Sequence, residues 1–396
     1  MNTDTRSLIP QCFSVDDPYP IYARIRKLGP VQRDKESGYW WAFDYESVRA
    51  LTFASHSEAA GLNLFPSEYG DRPLFKLLKK TLLDPPEHTR FRAPLARCLG
   101  RAKVETLREE IANVVDDLLD DLARKAASSG TVEFVSQFTE PLPVSAVAKL
   151  LGVSEMDANI VPCLRSLSAA LGPGASKANI EAGDCAANYL VDWAANHMQV
   201  SEKGPISLLL HLQESGDVVS ESDFIASMVS ILFAGIQTTS YQIGNSLLAL
   251  LRFPEQLKFF HESKGDASTA VEELLRFDTS MQFRSRYITE DVEVKDGVII
   301  PAESNVIAMV GSAHRDPEYF DRPDELDLRR APNPHLAFGG GIHYCLGASL
   351  ARLVLTVSLP ALVERFPNLR IAGECKRSAG GAFRGFDQIL LVLGAS

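Results

Sequence analysis

Residues 338–347 read FGGGIHYCLG, and an apolar run, ASLARLVLTVSLPALVERF, follows at once. Glycine lets a backbone pass close to a flat ligand and reach φ values closed to other residues. Amides at a helix N-terminus point toward the sulfur of Cys345 and stabilise negative charge on it. The pattern predicts a thiolate at Cys345 lying against a flat group. A plainer reading, a glycine turn beside a buried thiol, fits an arbitrary lone cysteine. The length of this pattern separates the two.

Other residues have spacings with chemical meaning. In AVEELLRFD, Glu273 and Arg276 are three apart and share a helix face. In DPPEHTRFR, His88 and Arg92 stand at i and i+4, so two cationic donors meet on one side of a helix and suit a carboxylate ligand. The segment Ala234-Gly235-Ile236-Gln237-Thr238-Thr239 puts small residues where a flat group could come close. A Thr after Gly there can loosen the i→i−4 ladder.

Phe338, Gly339, Gly341, His343, Cys345 and Gly347 spell Phe-Gly-x-Gly-x-His-x-Cys-x-Gly, which closely resembles the haem loop of the cytochrome P450 family. The resemblance implies one haem b with Cys345 as the iron ligand, a thiolate that pushes electron density toward O–O cleavage. Glu273 and Arg276 then look like the family's Glu-x-x-Arg pair. Its usual third, basic member falls at Glu325, leaving Arg322 or Arg329 as substitutes, or none. His88, Arg92, Arg286 and His343 match positions that contact the haem propionates.

Ala234, Gly235, Gln237 and Thr238 resemble the signature Ala-Gly-x-(Asp/Glu)-Thr-Thr, whose acid helps relay protons to dioxygen. Gln237 replaces that acid and Ile236 a frequent His. An amide hydrogen-bonds but cannot cycle a proton at neutral pH. Thr238 is therefore expected to position dioxygen and an ordered water, the net proton arriving through solvent or another acid.

These residues need elements to hold them. Apolar periodicity and breakers predict a short helix ending at Gly29-Pro30, strands at VQRD and YWWAF, and helices over 87–99, 103–127, 142–151, 154–171, 178–200, 205–213 and 269–277. The longest helix candidate is 220–253, capped by Ser220 or Ser222 and stopped before Pro254. Its middle is apolar nearly all round, so it is expected to be buried. Short strands are expected around 283–288, 291–294 and 297–307, and a last helix at 346–365. The expected fold is mainly α with a small β region, in a single domain over 1–396.

The chain has 396 residues, 45% hydrophobic and 23% charged, with a net charge of −11. That charge argues against general nucleic-acid binding. Cys12, Cys98, Cys163, Cys185, Cys345 and Cys375 form no CxxC pair, and all but Cys345 read as reduced core thiols. No signal peptide and no membrane span is expected, so the protein reads as cytoplasmic.

By the same resemblance, Leu62, Leu64, Phe65, Leu74, Phe75, Leu167, Leu171, Phe233 and Met281 line a pocket for a hydrophobic small molecule. No flavin or nicotinamide fingerprint appears. Electrons are expected from a ferredoxin and its NAD(P)H-dependent reductase, docking near Arg92, Arg97, Arg101 and Lys103. Gln237 keeps open an oxidative-coupling, desaturating or peroxide-using reaction, and a haem sensor or carrier is the non-enzymatic alternative.

Overall fold

In the computed structural model, the residues described are 5–34, 37–54, 57–58, 72–81, 84–171, 175–197, 207, 220–262, 267–378 and 383–394. The axis of the molecule is the helix Glu221–Arg252, 32 residues long and about 48 Å at 1.5 Å per residue. Ser220 starts it with a capping box, its hydroxyl accepting from the Asp223 amide while Asp223 turns back to the Ser220 amide. The helix is apolar enough to cross a membrane by length and composition, contrary to the sequence expectation, and 61% of its most apolar window is buried by protein. The apolar surround is protein: Leu232, Ile243, Leu247 and Leu250 are fully buried.

Around it pack Pro141–Leu151, Ile160–Ala170, Lys177–Asn196, Ser268–Phe277 and Ala348–Arg365. The region expected as one helix over 103–127 is two, Arg101–Glu105 and Arg108–Ser129. The stretch expected helical from 154 begins only at Ile160. Helices at Tyr45–Phe53 and Pro254–Glu262, and a π-helical turn at Val135–Thr139, carry too few residues to show a period in sequence. The expected helix 205–213 lies outside the described residues, save Ser207.

A five-stranded sheet sits to one side, in the order Val31–Arg33, Trp40–Ala42, Ser304–Ala308, Arg284–Ile288, Ser57–Glu58. Only the pairing of Trp40–Ala42 with Ser304–Ala308 is parallel. Register sets Arg284 opposite Ala308 and Arg286 opposite Val306. Because strand side chains alternate, Arg284 and Arg286 leave the same face of the sheet. Cys185 is exposed, unlike the core thiol expected there, and all six cysteines are free.

Candidate active site

A cavity of about 340 Å³ lies between the central helix and the 338–347 loop. Ala234, Gly235 and Thr238 line one wall, and Phe338, Cys345 and Gly347 line the other. The loop turns through Gly339 at φ +70 and Gly341 at φ +61, and the Cys345 amide donates to the Phe338 carbonyl at 2.9 Å. A Cβ at Gly340 would fall 2.3 Å from the tip of the Phe53 ring, so the glycine lets that ring lie against the loop. Gly235 also has a packing role: its Cβ would stand 3.0 Å from Val147.

Burial pushes the Cys345 thiol up, opposed by Arg284, by the Gly347 amide, by Arg92 and by Arg352. A cationic ligand at the sulfur would favour the anion.

The basic residues gather on one rim. His88 and His343 have ring centroids 4.7 Å apart, and His343 Nε2 meets Asp84 at 3.3 Å. Burial, with Arg286 and His88 nearby, lowers His343 to about 4 despite Asp84, so the ring is neutral at pH 7. Arg92 donates to the Tyr344 carbonyl. Both ring nitrogens of His88 and the Nε atoms of Arg284 and Arg286 are sealed from solvent without a hydrogen-bond partner. Buried donors without partners cost roughly 1–3 kcal/mol each. Such a set beside an open cavity fits a flat ligand that carries carboxylates. Among the described residues, no three of His, Cys, Asp and Glu gather to hold a bare metal ion. Iron here would need a macrocycle for its other ligands.

Arg284 was not among the residues singled out by sequence. It lines the cavity directly, whereas Arg286, His88 and His343 are not among the lining residues. The available signal was strand alternation, which puts 284 on the face of 286.

Gln237 departs further from expectation. Its side chain turns away from the cavity, accepting from the Ser168 hydroxyl and donating to the Tyr241 hydroxyl at 2.9 Å. Tyr241 donates onward to Ser378 at 2.8 Å. Thr238 does face the cavity and donates to the Ala234 carbonyl at 2.6 Å.

Glu273 and Arg276 form a fully buried pair at 2.7 Å. Arg276 also donates to the carbonyls of His314 and Pro323, at 2.6 and 2.9 Å. The basic partner is Arg330, 3.1 Å from Glu273, and Asn333 donates to the same oxygen. Neither substitute expected from sequence takes the place: Arg322 pairs with Asp321 and Glu325, and Arg329 lies over the Phe259 ring. The meander, residues 321–333, is coil, so no period indicates which arginine turns inward.

Of the nine apolar pocket residues expected, Met281 lines the cavity, and Phe233 packs near Phe383 with centroids 6.1 Å apart. Leu74, Phe75 and Leu167 belong to the main buried cluster, and Leu171 packs against it. Leu62, Leu64 and Phe65 lie outside the described residues.

Residues 267–377 match the family model for Cytochrome P450. The chain is 36% identical over 391 residues to cytochrome P450 107B1 of Saccharopolyspora erythraea, covering 93% of this chain and 94% of that one. It is 32% identical over 364 residues to the cytochrome P450 monooxygenase PikC of Streptomyces venezuelae, covering 90% and 85%. The fold superposes with a TM-score of 0.88 on P450BioI in complex with hexadec-9Z-enoic acid ligated acyl carrier protein, at 28% identity, covering 96% and 99%. Fold and cavity define a mainly helical haem-binding protein. The chain belongs to the cytochrome P450 family: it is a monooxygenase, and its cofactor is haem b.

Proposed function

We propose that this protein inserts one atom of dioxygen into a hydrophobic, secondary-metabolite-like small molecule, with electrons delivered by a ferredoxin and its NAD(P)H-dependent reductase. The observation that carries the reading is the wedge between Ala234-Gly235-Thr238 and the Cys345 loop. Haem bound there supplies the reductive activation of dioxygen. Cys345 would hold the iron through its sulfur. Phe338, Gly339 and Gly347 shape the cradle, while His88, Arg92, Arg286 and His343 take up the propionates. Glu273 and Arg276, with Arg330, brace the meander that carries the loop.

Ala234 and Gly235 leave space over the cofactor face. Thr238 spends its proton on the Ala234 carbonyl, so its oxygen keeps lone pairs with which to hold a water. Gln237 is bonded outward, and the proton reaches Thr238 through cavity water. The reaction occurs in a soluble, cytoplasmic protein read as one domain over 1–396. Support for that reading comes from the largest buried cluster, which runs from Leu74 to Leu393, and from two smaller clusters that join residues before 52 to residues after 287. A second reading, peroxide-driven turnover or oxidative coupling, is favoured by the missing acid at 237. Peroxide turnover without ferredoxin, at a comparable rate, supports it.

The test is a reduced CO-difference spectrum of the purified holoenzyme. The parent shows the strongly red-shifted Soret band of thiolate ligation, and Cys345→Ala loses it. An unaltered spectrum in Cys345→Ala overturns the assignment. A spin-state screen of hydrophobic compounds then identifies the substrate class.

A further inference from the structure

Most of the other arginines buried or largely buried in this chain face acids. Arg276 and Arg330 meet Glu273, Arg315 meets Asp324, and Arg377 and Arg384 meet Asp278. Arg284, like its strand neighbour Arg286, breaks the pattern. Among the described residues no carboxylate stands within ion-pairing distance of it, and its only hydrogen bond is to the Ala337 carbonyl at 3.1 Å. Its Nε is shut off from water and unpaired. The rest of its surface borders the cavity. The loop is shaped to admit it: a Cβ at Gly339 would lie 3.1 Å from the guanidinium carbon.

A desolvated cation without a counter-charge is expensive. Burial lowers the Arg284 pKa, and the one opposing influence is the charge of Cys345. The site therefore has a cation to spare. Arg92 and Arg286 already match the two carboxylates that haem b carries. Arg284 adds a third guanidinium on the sulfur side of the same cavity.

We infer that Arg284 is a cofactor-binding cation that pairs with a haem carboxylate and, by its charge near Cys345, raises the reduction potential of the bound iron. The inference rests on the haem-thiolate reading above. Its electrostatic basis is general: a positive charge in a poorly screened site favours the state with one more electron. The balance is a one-electron reduction of ferric to ferrous iron. The electron comes from the external redox partner, and no bond to Arg284 forms or breaks.

The test is a spectroelectrochemical titration of holoenzyme for the parent, Arg284→Gln, Arg284→Met and Arg284→Lys. The parent's CO-difference spectrum is recorded first. If it lacks the thiolate band, the haem-thiolate reading fails, and this inference with it. With that band present, both neutral variants are expected to move the ferric/ferrous equilibrium about tenfold toward ferric, about 59 mV for a one-electron couple. Arg284→Lys is expected to stay near the parent. A neutral variant that keeps the band and the parent potential overturns the inference. Should the neutral variants lose haem, retention in Arg284→Lys supports a requirement for charge, and loss in Arg284→Lys as well overturns it.

Discussion

Gln237 uses both ends of its amide on neighbours, Ser168 and Tyr241, and Tyr241 passes the chain to Ser378. A carboxylate at 237 would keep the Ser168 bond and accept from Tyr241 once that hydroxyl turned. It would still face away from the cavity. We therefore expect Gln237→Glu to leave oxygen consumption and product yield per NAD(P)H within twofold of the parent, measured as coupling. Thr238→Ala, by contrast, is expected to cut product per NAD(P)H by on the order of tenfold, below the full range of general-acid effects. A large gain in coupling for Gln237→Glu would place 237 on the proton route after all. The sequence showed that an acid was missing but not where its replacement points, because a helix buried all round offers no polar face to orient it. Cys345 was legible, since ten residues of loop pattern specify it. Arg284 was not, since the motif's resemblance reached only Arg286, two residues on.

Helix Ser268–Phe277 is tied to helix Ala348–Arg365 by Glu272. Its carboxylate receives Arg352 at 2.6 and 2.7 Å and His335 at 2.9 Å. Arg352 in turn reaches the Tyr344 hydroxyl at 3.0 Å and lies over the Phe338 ring. This latch joins the two elements on either side of the cysteine loop. Burial alone would raise the Glu272 carboxyl, but Arg352 and His335 outweigh it and hold the group at about 2. A carboxyl lowered on folding contributes stability above its unfolded pKa of about 4.3 and loses it as pH falls toward the folded value. Glu272→Gln is expected to melt below the parent at pH 7, with the gap closing as pH drops from about 5 toward about 2. A gap independent of pH would show that the carboxylate is not the stabilising group.

The central helix makes a separate case at this scale. Replacing Ser220 by Ala removes half of the capping box and is expected to cost about 1 kcal/mol, read as a lower melting midpoint with an unchanged Soret band. Long elements with caps were readable from sequence. The helices Tyr45–Phe53 and Pro254–Glu262, nine residues each, were not read, although Asp44 caps the first and Pro254 opens the second.

Across the whole molecule, a net charge of −11 would repel an acidic ferredoxin, so docking requires a local reversal of sign. Arg97, in the last turn of the helix that carries His88 and Arg92, and Arg101 and Lys103 just past that helix are exposed. Arg92 joins that helix to the Tyr344 carbonyl, and Ile342 and Tyr344 are exposed on the loop itself, 46% and 42%. Through Arg92, the helix next to these basic residues meets the loop that carries the proposed iron ligand. Charge at such a rim acts on encounter rate more than on affinity, and screening over about 10 Å at 0.1 M salt weakens it. The double variant Arg101→Glu/Lys103→Glu is therefore expected to slow ferredoxin-driven reduction about tenfold at low salt. The deficit should shrink as salt rises, while chemical reduction by dithionite and the CO-difference spectrum stay at parent values. Equal loss at every ionic strength would mean that the electron donor docks on another face.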